Sequence, residues 1–354
     1  MIFPGLLIVI AGSGLTFLPA PPMHAITTID CHVAGEVLRV VTGGFPEPAG
    51  STILEKRRYC RTHLDHLRTA LMWEPRGHHD MYGCLLVTPA DPQADAGVLF
   101  FHNEGYSTMC GHGIIGLATV MLEQGLFPAS GPTTTIRFET PSGLVTARAS
   151  LDEGKVRSVA FLNVPSFVLD VEQILRVPGI GAVQYDVAFG GAFYAFCRAE
   201  TLGLTLEPKH APQLQALGLA IKQAIMAERT IAHPTEPELG YLYGTIFVGP
   251  PHTPSGDIRH TCIFADGALD RSPTGTGVSA HLALLHTKGD LGVGQSLRFE
   301  SILGTSFGGK IVEETQLESR PAIIPEVEGC AWVTGRHEFM IDPDDPLKEG
   351  FLLG

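Results

Sequence analysis

Two stretches of this sequence repeat one another in the same order. Cys110-Gly111-His112-Gly113 leads into the apolar run Ile114 to Gln124 and closes on Gly125, while Thr274-Gly275-Thr276-Gly277 leads into Val278 to Lys288 and closes on Gly289. In each copy the closing glycine stands 15 positions after the Cys or Thr (110 to 125, 274 to 289). Downstream, Arg137-Phe138-Glu139-Thr140 with Gly143 is echoed by Arg298-Phe299-Glu300-Ser301 with Gly304. The two echoes are offset by 164 and 161 positions, so the copies are nearly in register. A run of this length ending on glycine reads as a helix with a left-handed C-terminal cap.

Short strands surround both helices. Val37 to Thr42, Cys84 to Thr88, Gly97 to Phe101 and Thr134 to Glu139 serve the first half, with Ala192 to Arg198, Thr245 to Val248 and Thr261 to Phe264 in the second. Two further helices, Ser51 to Leu71 and Gln213 to Glu228, carry apolar residues at three- and four-residue spacing. Strands bracketing one central helix, twice over, predict an α+β protein of two pseudo-symmetric domains facing each other. Function is expected where the two helix N-termini meet.

Composition narrows the partners. The 354 residues have length enough for two or three domains. With 44% hydrophobic and 17% charged residues, the chain can bury a sizeable core. Lys and Arg number 24 against 37 Asp and Glu, a net charge of −13 that disfavours nucleic acid and membrane surfaces as partners. The seven cysteines include no C-x-x-C pair, which fits neither a disulfide framework nor a zinc ribbon and implies a reducing, cytoplasmic setting. Residues 1–22 hold an apolar stretch, Leu6 to Leu18, but no Lys or Arg precedes it and Pro21 is poorly suited to follow a cleavage site. They read as a dispensable or misassigned extension, with the strand-like Ile26-Thr27-Thr28-Ile29 as the natural start.

Gly111-x-Gly113-x-x-Gly116 and Gly275-x-Gly277-x-x-Ala280 imitate a dinucleotide fingerprint, each with an acidic residue, Glu139 or Glu300, at a following strand end. That fingerprint needs its first glycine directly after a strand, and His102 to Cys110 intervene here. The same glycine-rich helix starts suit a smaller anion, a carboxylate held by backbone N–H groups with the helix dipole behind them. Cys110 at such a start is expected to have its thiol lowered toward neutrality, poised as a base. His63, Asp65 and His66 at helical spacing read as a solvated face, and His78-His79-Asp80 offers no zinc framework. No metal and no cofactor is expected.

Glu104-Gly105-Tyr106-Ser107-Thr108-Met109-Cys110-Gly111-His112-Gly113 resembles the first catalytic motif of the proline racemase family, and Asp270-Arg271-Ser272-Pro273-Thr274-Gly275-Thr276-Gly277 resembles the second. Thr28-Ile29-Asp30 with His32 and Gly35-Glu36, Glu74 to His78 with Asp80 to Gly83, and Asp342 to Pro346 match as well. The resemblance runs from about Ile26 to Leu353. It implies the diaminopimelate-epimerase type of fold: a first domain over 23–170 that carries Cys110 and to which the tail 336–354 returns, and a second over 171–335 that carries Asp270 and Thr274.

Racemases and epimerases of that family have a second cysteine where this chain has Thr274. Threonine there, with Lys56 to Tyr59, Asp186 to Tyr194 and Leu242 to Gly244, resembles the branch that removes water from trans-3-hydroxy-L-proline. The resemblance implies Cys110 as the base for the Cα proton and Thr274 near the leaving hydroxyl. It places the substrate carboxylate on Gly111, His112, Gly275 and Thr276 and the ring ammonium on Asp270. It also implies a homodimer without a cofactor. A racemase or epimerase, and a non-catalytic amino-acid-binding protein, are the alternatives.

Overall fold

The computed structural model describes residues 23–353 continuously. Of the extension expected at 1–22 it describes only two short strands, Leu6–Ala11 and Gly14–Pro19, paired antiparallel; the rest lies outside the described residues. The helices are α1 (Ile53–Tyr59), α2 (Asp65–Met72), α3 (Gly111–Glu123), α4 (Ala211–Glu228) and α5 (Gly275–Lys288). A wider π-helical turn, Cys60–Leu64, joins α1 to α2, so the single helix read from 51 to 71 is continuous but locally unwound.

One closed sheet, built as two successions of eight main strands, wraps α3 and α5. The first half runs, neighbour to neighbour, through Ala331–Ile341, His24–Val33, Glu36–Gly43, Tyr82–Val87, Ala96–His102, Thr133–Thr140, Gly143–Asp152 and Lys155–Leu162. The second runs through Phe167–Val177, Gly181–Phe189, Phe193–Arg198, Leu242–Gly249, Ile258–Phe264, Ser296–Glu300, Ser306–Leu317 and Arg320–Gly329. The two parallel steps fall at equivalent places in each half. Parallel neighbours need a crossover, and helices supply it: α1–α2 and α3 in the first half, α4 and α5 in the second. The predicted pseudo-symmetric α+β architecture is therefore present, with Gly125 (φ 71°) and Gly289 (φ 81°) in the left-handed conformation expected after α3 and α5.

The central helices are buried for most of their length. In α3 every residue from Gly111 to Leu122 is buried, and its Ile, Leu, Val and Met side chains point outward on all sides into the surrounding sheet. The halves are joined by an antiparallel ladder of Val159–Leu162 with Glu326–Gly329. Beside it the chain crosses at Asn163, whose amide binds Gly190 O at 2.8 Å and Ser279 Oγ at 2.9 Å. No helix among the described residues is long and apolar enough to cross a membrane.

Candidate active site

The starts of α3 and α5 abut. A Cβ placed on Gly111 would lie 2.6 Å from Gly275 Cα, and one placed on Gly275 would lie 2.8 Å from Gly111 Cα. Glycine is required at both positions because backbone meets backbone. This brings Cys110, Gly111 and His112 from one half against Thr274, Gly275 and Thr276 from the other. Their free N–H groups and both helix dipoles converge on one point, a ready site for an anion.

Cys110 is extended (φ −144°, ψ 112°) and caps α3, its Sγ accepting from Gly113 N–H at 3.2 Å. His112 Nδ1 lies 3.2 Å from the same sulfur. Tyr82, at the start of its strand, packs edge-on to His112 with ring centroids 4.8 Å apart, and its hydroxyl lies 2.5 Å from Ser107 Oγ. The sulfur thus has His112 and a helix N–H at it, with Tyr82 packed on the histidine.

On the facing side, Asp270 follows the short strand Ala268–Leu269 and organises the second turn. Its carboxylate accepts from Ser272 N–H at 2.7 Å and from the Thr274 hydroxyl at 2.7 Å. Thr274 sits at φ 65°, a costly left-handed conformation for a β-branched residue. It is held there by Ser272 Oγ on its N–H and by its O on Val278 N–H, at 3.1 and 2.7 Å. Thr276 Oγ1 meets Tyr194 OH at 2.6 Å. The next residue, Arg271, reaches across to the first half, donating its N–H to Glu36 at 2.7 Å and a guanidinium N–H to Asp80 at 3.1 Å.

Every predicted site residue is buried, and the junction is enclosed. Enclosure reverses one expectation. Burial pushes the Cys110 thiol up from its ordinary value, outweighing the Tyr82 hydroxyl and Gly113 N–H that favour the thiolate, and the Asp270 and Glu36 carboxylates add to the rise. The expected shift toward neutrality is therefore reversed, because loss of water outweighs the helix start: the thiolate here is a strong base, not a standing one. Burial also holds His112 below the usual imidazole range, against the pull of Asp270, so its ring is neutral. Glu36, fully buried with Oε1 unpartnered, is raised well above the carboxylate range by burial and Asp270.

The acidic residues of the dinucleotide-like pattern have other partners. Glu139 accepts the N–H groups of Ala90 and Asp91, and Glu300 those of His252 and Thr253, in equivalent loops of the two halves. Neither is available to a ribose. Asp65 pairs with Arg68, and His63 stacks on Tyr59. Tyr82, Tyr194, Glu36 and Arg271 were not singled out as site residues from sequence, although all four stand inside stretches that were.

The proline racemase family model matches residues 28–352. A trans-3-hydroxy-L-proline dehydratase of Bacillus thuringiensis is 47% identical, covering 93% of this chain and 98% of its own length. A proline racemase of Clostridioides difficile is 43% identical with the same coverage. Among solved structures, a hydroxyproline epimerase from Agrobacterium vitis with bound trans-4-hydroxy-L-proline superimposes with a TM-score of 0.90 at 32% identity, over 94% of this chain and 96% of that one.

Proposed function

The chain belongs to the proline racemase family, and we propose that within it the chain is a cofactor-independent hydro-lyase that dehydrates trans-3-hydroxy-L-proline. The carrying observation is the single thiol at the helix junction: Cys110 on one side, and on the other Thr274, whose hydroxyl is engaged with Asp270. Inversion at Cα needs a base on one face and an acid on the other. A hydroxyl that does not ionise near neutrality is a poor replacement for the second thiol. The 47%-identical relative named as this dehydratase supports the same reading.

In this reading the N–H groups of Gly111, His112, Gly275 and Thr276 hold the substrate carboxylate, and Asp270 holds the ring ammonium. Cys110 thiolate removes the Cα proton. The two helix starts stabilise the charge that grows on the carboxylate as the proton leaves. With a hydroxyl on C3 and no acid on the far face, the electron pair expels that hydroxyl. The enamine formed then tautomerises to 1-pyrroline-2-carboxylate. Seven free cysteines, six of them buried, support a reducing compartment for the protein.

The test is direct. Purified protein with trans-3-hydroxy-L-proline should yield a pyrroline, and proton NMR in heavy water should show no comparable inversion of L-proline or trans-4-hydroxy-L-proline. Efficient inversion of either without pyrroline would make it a racemase or epimerase. Tight binding without turnover would make it a binding protein.

A further inference from the structure

Hydroxide leaves carbon poorly unless it is protonated as it goes, so the dehydration needs a proton donor at the departing oxygen. Stereochemistry says where one must stand. In trans-3-hydroxy-L-proline the carboxylate and hydroxyl occupy opposite ring faces, so the Cα hydrogen and the C3 hydroxyl share one face. A base that takes that hydrogen therefore stands on the side from which hydroxide departs. Cys110 faces the leaving group, whereas Thr274 belongs to the opposite helix start and commits its hydrogen to Asp270 at 2.7 Å.

Two side chains stand on the sulfur's own side, His112 against it and Tyr82 against His112. His112 has Nδ1 3.2 Å from Sγ, but buried neutral imidazole is a far weaker acid than a phenol. Tyr82 is 2% exposed, rests edge-on upon His112 with ring centroids 4.8 Å apart, and has Ser107 Oγ 2.5 Å from its hydroxyl. Resting on the dehydratase reading, we propose that Tyr82 is the acid that protonates the departing hydroxyl, in the place first assigned to Thr274. The Cα–H bond breaks and its proton goes to Sγ. Its electron pair forms the C2–C3 double bond as the C3–O bond breaks. The Tyr82 O–H proton joins the departing oxygen to make water. The new Cys110 S–H then returns a proton to the Tyr82 oxygen, restoring both groups. Burial disfavours a standing phenolate, so donation and return belong to one relay, with Ser107 bonded to the oxygen throughout.

Tyr82→Phe should lower kcat for trans-3-hydroxy-L-proline by ~10²–10³-fold, with KM changed only a few-fold. Fluoride needs no proton to leave, so the variant should release fluoride from trans-3-fluoro-L-proline nearly as fast as the wild type. The wild type should turn over cis-3-hydroxy-L-proline, whose hydroxyl lies on the other face, at least ~10²-fold more slowly. Should Tyr82→Phe not fold, Ser107→Ala offers the same split at smaller amplitude: slower water loss, unchanged fluoride loss. Undiminished dehydration by Tyr82→Phe would overturn the inference alone and leave Cys110 returning its own proton to the oxygen. Equal loss of both reactions would reduce Tyr82 to a packing residue. A wild type that releases neither water nor fluoride would overturn the dehydratase reading and this inference with it.

Discussion

Gly111→Ala tests whether the touching helix starts set the geometry of catalysis. The new Cβ would stand 2.6 Å from Gly275 Cα and 2.9 Å from its carbonyl carbon, where ordinary contact begins at 3.4 Å. Both obstacles are backbone, so no side-chain rotation relieves them and the helix starts must part by about 0.8 Å. A displacement near 1 Å between reacting groups costs on the order of 10²-fold in rate, and kcat/KM for water loss should fall by about that factor. Overpacking costs ~1–3 kcal/mol, offset by up to ~1 kcal/mol because alanine is the better helix former. Gly125→Ala is the matched control: at φ 71° with nothing within 4 Å of its would-be Cβ, it carries only the left-handed penalty of ~1–2 kcal/mol. Urea unfolding and steady-state rates on both variants separate stability from geometry. If Gly111→Ala keeps a rate within a few-fold of the parent, or Gly125→Ala loses as much, the abutting starts do not control the chemistry.

Other perturbations follow from the same site. Cys110→Ser should fold normally by circular dichroism and lose dehydration. Because burial lifts the thiol above its ordinary value of 9.0, the thiolate fraction and kcat/KM should still be climbing between about pH 7 and 9; a flat profile there would refute Cys110 as the titrating base. Thr274→Cys places a second thiol opposite the first, at a cost of ~1–3 kcal/mol for the hydroxyl's bond to the buried Asp270, and NMR in heavy water should show a gain of Cα inversion on proline or 4-hydroxyproline. No gain would mean that more than this residue separates the two activities. Glu300 is buried against Arg259 at 2.7 Å; burial alone would raise its carboxyl, but Arg259 and the His252 and Thr253 N–H groups hold it at about 2. Its contribution is complete above the ordinary carboxylate range and lost as pH falls toward 2, and Glu300→Gln should cost ~3–5 kcal/mol in urea unfolding while flattening the acid limb.

The repeat was legible because it rests on glycine, whose backbone demands are local. Gly125 and Gly289 had to be left-handed, and Gly111 and Gly275 had to start helices, whatever surrounded them. The strands read from apolar runs formed, some longer than read: Gly97 to Phe101 lies within Ala96–His102, whereas the run Cys84 to Thr88 starts at Tyr82 and stops at Val87, and Ala192 to Arg198 starts at Phe193. The long ribbons from Ser306 to Leu317 and Arg320 to Gly329 escaped notice because solvent-facing Lys310, Glu313 and Glu314 dilute the alternation there. Tyr82 and Tyr194 were invisible as site residues because an aromatic side chain in a strand usually belongs to the core. Only the fold shows that Tyr82 packs on His112 beside Cys110 and that the Tyr194 hydroxyl meets Thr276. The direction of the Cys110 shift failed for a related reason: N–H donors can be counted from glycines, but exclusion of water depends on both halves closing over the thiol.

The pairing of Ala331–Ile341 with His24–Val33 bears on how the molecule is made. Emerging from the ribosome, residues 24–162 hold seven of the eight strands of their half and the whole of α3, but their outer ladder stays open until the chain has been synthesised past position 341. Until then the backbone groups of His24–Val33 that face Ala331–Ile341 are an unsatisfied edge, the kind of surface that recruits other strands. The later half, contiguous from 167 to 329, has no such wait and can complete its sheet first, inverting the usual N-to-C order of domain folding. Chaperone dependence and aggregation during expression should therefore centre on the first-synthesised half, the one that carries Cys110.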